Sequence, residues 1–192
     1  MKCLVALGVV VGFVMLPIAS AMAGGAHVHL VHNEQQDIVY ALPLKSPFKL
    51  ARKTPDGVEF SGRTEIRGHY VFGHMSPEEE LGMPDMQPVV YFVPDAVSAA
   101  LLPRWNEMNV INGFYLTNGD EFLAKVVAPD IVRKVRSRRI KSVTGELSIV
   151  IEGYSADVIC GWPIYAAKFI GVAEKAVQMA KSKFADSISC NG

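Results

Sequence analysis

The chain has 192 residues, half of them apolar and a fifth charged, with 19 basic against 19 acidic side chains. That composition excludes a disordered chain, and the zero formal charge removes the global electrostatics of a nucleic-acid binder. Sixteen Gly and 11 Pro without a period exclude collagen and fit a loop-rich globular chain.

Lys2 precedes an apolar run from Leu4 to Ile18, and Ala21-Met22-Ala23 follows it. This layout predicts a secretory signal peptide over residues 1–23, cleaved after Ala23. The run is about 15 residues, short of the roughly 20 that a membrane span needs. Cys3 lies before it, so it is not placed as the lipidated cysteine of a lipoprotein. Residues 24–192 are then expected to fold as one globular domain, periplasmic or secreted, with no transmembrane segment. Two cysteines remain there, Cys160 and Cys190, and an oxidising compartment favours a disulfide between them. It would close a loop of about 31 residues, for which chain entropy gives roughly 3.5–4 kcal/mol. Two free thiols are the alternative.

Two short strands are expected over 27–32 and 37–42, with a polar turn between them. Thr54-Pro55-Asp56-Gly57 predicts a hairpin, because Pro presets the turn and Gly accepts a positive φ. The strand leaving it runs over 58–66 and on towards Phe72, with Gly62 marking a bulge or bend. Ser76-Pro77-Glu78-Glu79-Glu80 opens a short capped helix. Residues 88–93 read as a strand buried on both faces, and Asp95 caps a helix over 96–102. A strand is expected over 109–116, a turn at Asn118-Gly119, and helix or strand over 120–127. Residues 142–152 predict a strand, Glu152-Gly153 a turn, and 154–160 a further β run. Tyr165, Phe169, Val172, Ala176 and Met179 step by 4, 3, 4, 3, which predicts a helix over 172–182 and leaves 164–171 open.

These elements predict a β-rich α+β fold. Its specific form is a small, partly open β-barrel of about five or six strands, OB-like, with two or three short helices and a C-terminal helix. Gly62 and Gly145 fall where strongly coiled strands bend.

Three clusters are candidates for function. His27 and His29 alternate on a strand, with His32 close by. Imidazole binds zinc or copper, and His74 and Met86 supply further nitrogen and thioether donors. The competing reading is a solvated N-terminal strand and gap-filling methionines. The second cluster is Arg133, Lys134, Arg136, Arg138, Arg139 and Lys141, a local positive patch in a neutral chain. It suits an anionic head group, a glycan or an acidic partner, or else is an ordinary solvated face. The third is the cysteine pair. No G-x-S-x-G elbow, HExxH, P-loop or Rossmann fingerprint occurs, so the reading leans away from an enzyme. The expectation is an exported, non-catalytic binding or accessory protein. It would hold a protein or an anionic envelope component, not nucleic acid, on a barrel face or on the basic patch, with no cofactor. The alternative is a periplasmic copper- or zinc-binding protein built on the N-terminal histidines.

Overall fold

A computed structural model describes residues 28–74, 87–107, 109–159 and 161–182, with backbone alone over 174–182. The expected signal peptide and the helix opening at Ser76 lie outside the described residues.

The two expected N-terminal strands form as β1 (Val28–Asn33) and β2 (Ile38–Pro43), an antiparallel hairpin in unbroken register. β6 (Arg104–Trp105) adds to β2 and completes a three-stranded sheet.

The predicted hairpin joins β3 (Lys49–Thr54) to β4 (Gly57–Gly73), with Thr54 opposite Gly57. Gly57 meets a different need from the positive φ expected of it. An added Cβ would lie 2.3 Å from the Ala156 carbonyl oxygen, so the position admits only hydrogen. Gly62 does carry the bend. Its φ is +141°, the β4 register shifts between Phe60 and Arg63, and a side chain there would strike the Pro47 carbonyl.

The larger sheet has the order β3-β4-β5-β7-β9-β8. Here β5 is Val89–Pro94, β7 is Phe114–Leu116, β8 is Ser142–Ile159 and β9 is Trp162–Ser182. β8 also pairs with β4 along its whole length, from Gly57↔Asp157 to Gly73↔Ser142. β4, β5, β7, β9 and β8 therefore close a hydrogen-bonded ring, which leaves β3 as a flanking strand. Its pairings are antiparallel except β7–β9, which is parallel. A parallel neighbour demands a crossover. The chain makes it through α2 (Gly119–Val126), α3 (Pro129–Arg136) and β8.

The ring interior is aromatic. Phe60, Tyr70, Phe72, Phe92, Phe114 and Phe169 are all at most 2% exposed, and each such ring contributes roughly 1.5–3 kcal/mol on burial. Phe122 of α2 inserts its edge against Tyr70 at 5.1 Å and Phe169 at 5.2 Å, so α2 packs onto this interior. Ile131 and Val135 bury the apolar face of α3.

Asn33, fully buried, joins the small sheet to the ring. Its side-chain amide donates to the carbonyls of Thr54 at 2.9 Å and Gly57 at 2.7 Å. The end of β1 is thereby tied to the β3–β4 turn.

Several expectations need correction. The helix over 172–182 is the end of strand β9, and 164–171 belongs to the same strand. Tyr165 and Phe169 are four apart, a spacing that satisfies both helical and alternating patterns, and Ala167 between them is buried on the same strand face. Pairing with β8 over the full length decides for strand. The turn at Glu152-Gly153 is a bulge inside β8, with Gly153 at φ +65°. The chain reverses instead at Gly161. The expected strand over 109–116 shrinks to Phe114–Leu116, and the helix over 96–102 to α1 (Ala96–Ala99), capped by Asp95 on the Ser98 N–H. Residues 120–126 are helical, with Val127 as the extended C-cap, and Asn118-Gly119 leads directly into that helix.

Candidate functional site

β5 alternates cleanly. Val90, Phe92 and Pro94 are buried, while Val89, Tyr91 and Val93 are half-buried. The expectation of a strand buried on both faces is thus corrected to one inner and one outer face. Tyr91 on the outer face sits opposite Tyr115 of β7, with rings 5.0 Å apart and nearly perpendicular. Gly113 makes room for the Tyr91 ring, since a Cβ there would strike it.

The β8–β9 turn and β6 close the other sides. The turn through Gly161, at φ +80°, delivers Trp162 to the start of β9 with 75% of its surface exposed. Trp105 of β6 is held by its backbone N–H, which donates to the Tyr165 hydroxyl at 3.0 Å. Together these residues, with Asn109 and Asn112, line an open groove of about 410 Å³. The chain has two tryptophans, and both line it.

The described lining of the groove is uncharged. Among its described lining residues there is no Asp, Glu, His, Lys, Arg or Cys. Burial pushes the Tyr91 and Tyr165 phenols up, which keeps them protonated at neutral pH. The described lining therefore offers aromatic faces, hydroxyls and side-chain amides, groups that pack against and hydrogen-bond a ligand.

The expected metal donors do not converge among the described residues. His29 and His32 are an odd number of positions apart on a regular strand, so they face opposite sides of the small sheet. His32 Nε2 lies 3.0 Å from Asp37 Oδ1. His74 Nε2 is 3.2 Å from the Val135 carbonyl, where it sits against the C-terminal turn of α3. Among the described residues no group of three His, Cys, Asp or Glu is placed to hold a metal. His27, Met86, Cys160 and Cys190 lie outside the described residues.

The basic run takes a mixed form. Arg133, Lys134 and Arg136 fall in the last turn of α3, and Arg138 and Arg139 in the tight turn after it, with Arg138 at φ +57°. Lys141 immediately precedes β8. On the surface Lys134 pairs with Asp130 at 3.3 Å and Arg136 with Asp120 at 2.6 Å. Four arginines remain exposed to solvent around one helix end.

Sequence reasoning missed the groove. The available signal was the pair of tryptophans in an otherwise phenylalanine- and tyrosine-rich chain, one of them following a Gly. Among the described residues no helix is long and apolar enough to cross a membrane. Comparison with protein-family models, with curated proteins and with solved structures finds no match.

Proposed function

We propose that the chain is an exported, non-catalytic binding or accessory module, and that the groove over β5, β7 and the β8–β9 turn holds its ligand. The supporting observation is Trp162, a large apolar side chain left 75% exposed in a groove lined by four further aromatic residues. Exposed aromatic clusters of this kind mark interaction sites.

The strand order favours the finer fold reading. Numbered along the ring in chain order, β4, β5, β7, β8 and β9 are strands one to five, and they pair in the order 1-2-3-5-4-1. We read this as an OB-like Greek-key barrel. Such a barrel binds on its second and third strands and on the loop between its fourth and fifth. In this chain those are β5, β7 and the turn at Gly161, where the groove lies.

A thermal-shift screen of saccharides, peptides and lipid head groups tests the reading. The expected result is at least one class that raises the melting temperature of the full chain but not that of Trp162→Ala. Equal responses from both proteins across all classes would remove the groove as the ligand site.

The exposed arginines at the end of α3 support a second surface, an anchor to an anionic envelope component. A Cys160–Cys190 bond carries a geometric condition. Eight Cα-to-Cα steps separate Ser182 from Cys190 and reach at most about 28 Å. The β8–β9 hairpin must coil its two ends to within that reach, and non-reducing peptide mapping reads whether it does.

A further inference from the structure

We infer that the groove is built for a neutral oligosaccharide, an inference that rests on the binding-module reading above. Four features of the groove select this ligand class.

The first is charge. A fifth of the chain is charged, yet the described lining residues carry no charged side chain. A nucleic acid or an anionic head group draws most of its affinity from Lys and Arg on phosphate. Four of the eight arginines are gathered at the end of α3, and no arginine is among the described lining residues; Arg104, next to Trp105, donates instead to the Glu107 carbonyl. An uncharged ligand matches an uncharged site.

The second is shape. Trp162 presents a largely exposed ring, and Tyr91 and Tyr115 an edge-to-face pair, to the same groove. The C–H faces of a pyranose ring carry slight positive charge and pack on the negative face of an aromatic ring. The cavity, about 410 Å³, falls within the range of small-ligand clefts.

The third is the polar complement. Asn109 and Asn112 offer amides that both donate and accept, and the Tyr91 hydroxyl does the same. Sugar hydroxyls also do both, so each partner is satisfied. A proline-rich peptide, the other ligand that aromatic grooves take, offers carbonyl acceptors and no proline N–H. It would leave the asparagine carbonyls unmatched, and such groups are costly once desolvated.

The fourth is rigidity. Trp105 is fixed by its bond to the Tyr165 hydroxyl, and Tyr165 is itself stacked on buried Tyr154. A floor assembled before binding lowers the ordering cost of a weakly interacting ligand.

The test is a tryptophan-fluorescence titration of the full chain with maltohexaose, cellohexaose and chitohexaose, with decaproline as the competing class. The expected result is saturable binding of at least one hexasaccharide, unchanged between about 0.05 and 0.5 M salt. Trp162→Ala should weaken it by about tenfold or more. Asn112→Ala, also at an exposed position, should weaken it by about threefold or more while leaving the melting temperature in place. Absence of binding by all three sugars overturns the inference, as does binding that Trp162→Ala leaves intact or saturable binding of decaproline alone. In each of these cases the thermal-shift screen still separates the two claims. A groove-dependent ligand of another class preserves the module and discards the sugar, whereas no groove-dependent ligand discards both.

Discussion

Tyr154 and Tyr165 stack with ring centroids 6.0 Å apart and planes 21° from parallel, yet their hydroxyls are treated differently. The Tyr165 oxygen accepts the Trp105 backbone N–H at 3.0 Å. The Tyr154 oxygen is buried and has no hydrogen-bond partner among the described residues. Removing each oxygen should therefore change stability in opposite directions. Tyr165→Phe leaves the Trp105 N–H unpaired and is expected to cost about 1–2 kcal/mol. Tyr154→Phe removes a buried, unsatisfied group and is expected to be neutral or to stabilise by up to about 1 kcal/mol. Urea titration of both variants checks the pair, and equal destabilisation would refute the asymmetry.

Asn33 carries the junction between the small sheet and the ring. Its amide donates to two backbone carbonyls that have been withdrawn from water at the β3–β4 turn. Asn33→Ala should leave both carbonyls under-satisfied and open a small void. The expected loss is about 2–3 kcal/mol. Hydrogen exchange locates the damage: protection should fall in β1 and β2 before it falls in β4 and β8. Uniform loss across the molecule would show that the two sheets unfold as one unit.

The sequence carried much of this fold, in a form that depends on local chemistry. Pro55-Asp56 between two β runs placed the first long hairpin, and Gly62 placed the bend in β4, because both effects are confined to a few residues. What failed was long-range. The stripe from Tyr165 to Met179 has helical spacing, but a partner strand claims those residues one by one. A strand that wraps a ring also shifts its register at bulges, between Ser148 and Ile149 and between Val150 and Ile151 of β8 among others. Each shift breaks the alternation that would reveal it. The groove was illegible for a related reason. Trp105, Tyr91, Tyr115 and Trp162 come from four elements up to about 70 positions apart, and ring closure together with the docking of β6 on Tyr165 brings them together. The histidines, by contrast, were conspicuous in the sequence because of their chemistry. Unbroken pairing of β1 with β2 then set His29 and His32 on opposite faces.

Burial of phenols predicts the alkaline limit of stability. Burial pushes Tyr40 up to about 12, and it raises Tyr70, Tyr91, Tyr154 and Tyr165 as well. A tyrosine whose pKa is higher folded than unfolded binds more protons in the native state. Its contribution is complete below the unfolded value, about 10, and is lost as pH rises through the folded value. Five of the six tyrosines act in the same direction, so stability should be flat at neutral pH and fall steeply between about pH 10 and 12. Phenolate absorbance followed alongside circular dichroism measures this. Most phenols should ionise in the unfolding step, and smooth ionisation with the fold intact would contradict their burial.

The arginines around the end of α3 make the final prediction. Arg136 is paired with Asp120, so reversing its charge breaks one exposed ion pair and sets two acids together. The cost should stay at or below about 1 kcal/mol, because solvent screens the site. The triple replacement of Arg136, Arg138 and Arg139 by Glu falls at three exposed positions and should fold, which circular dichroism checks first. If the patch is an anchor, flotation with phosphatidylglycerol vesicles should retain the parent chain at low salt and release it as salt rises. The triple variant should stay unbound throughout. Its hexasaccharide titration should match the parent, because the groove and the patch share no residue. Equal vesicle retention of parent and variant would reduce the patch to an ordinary solvated helix end, with the groove as the sole proposed binding surface.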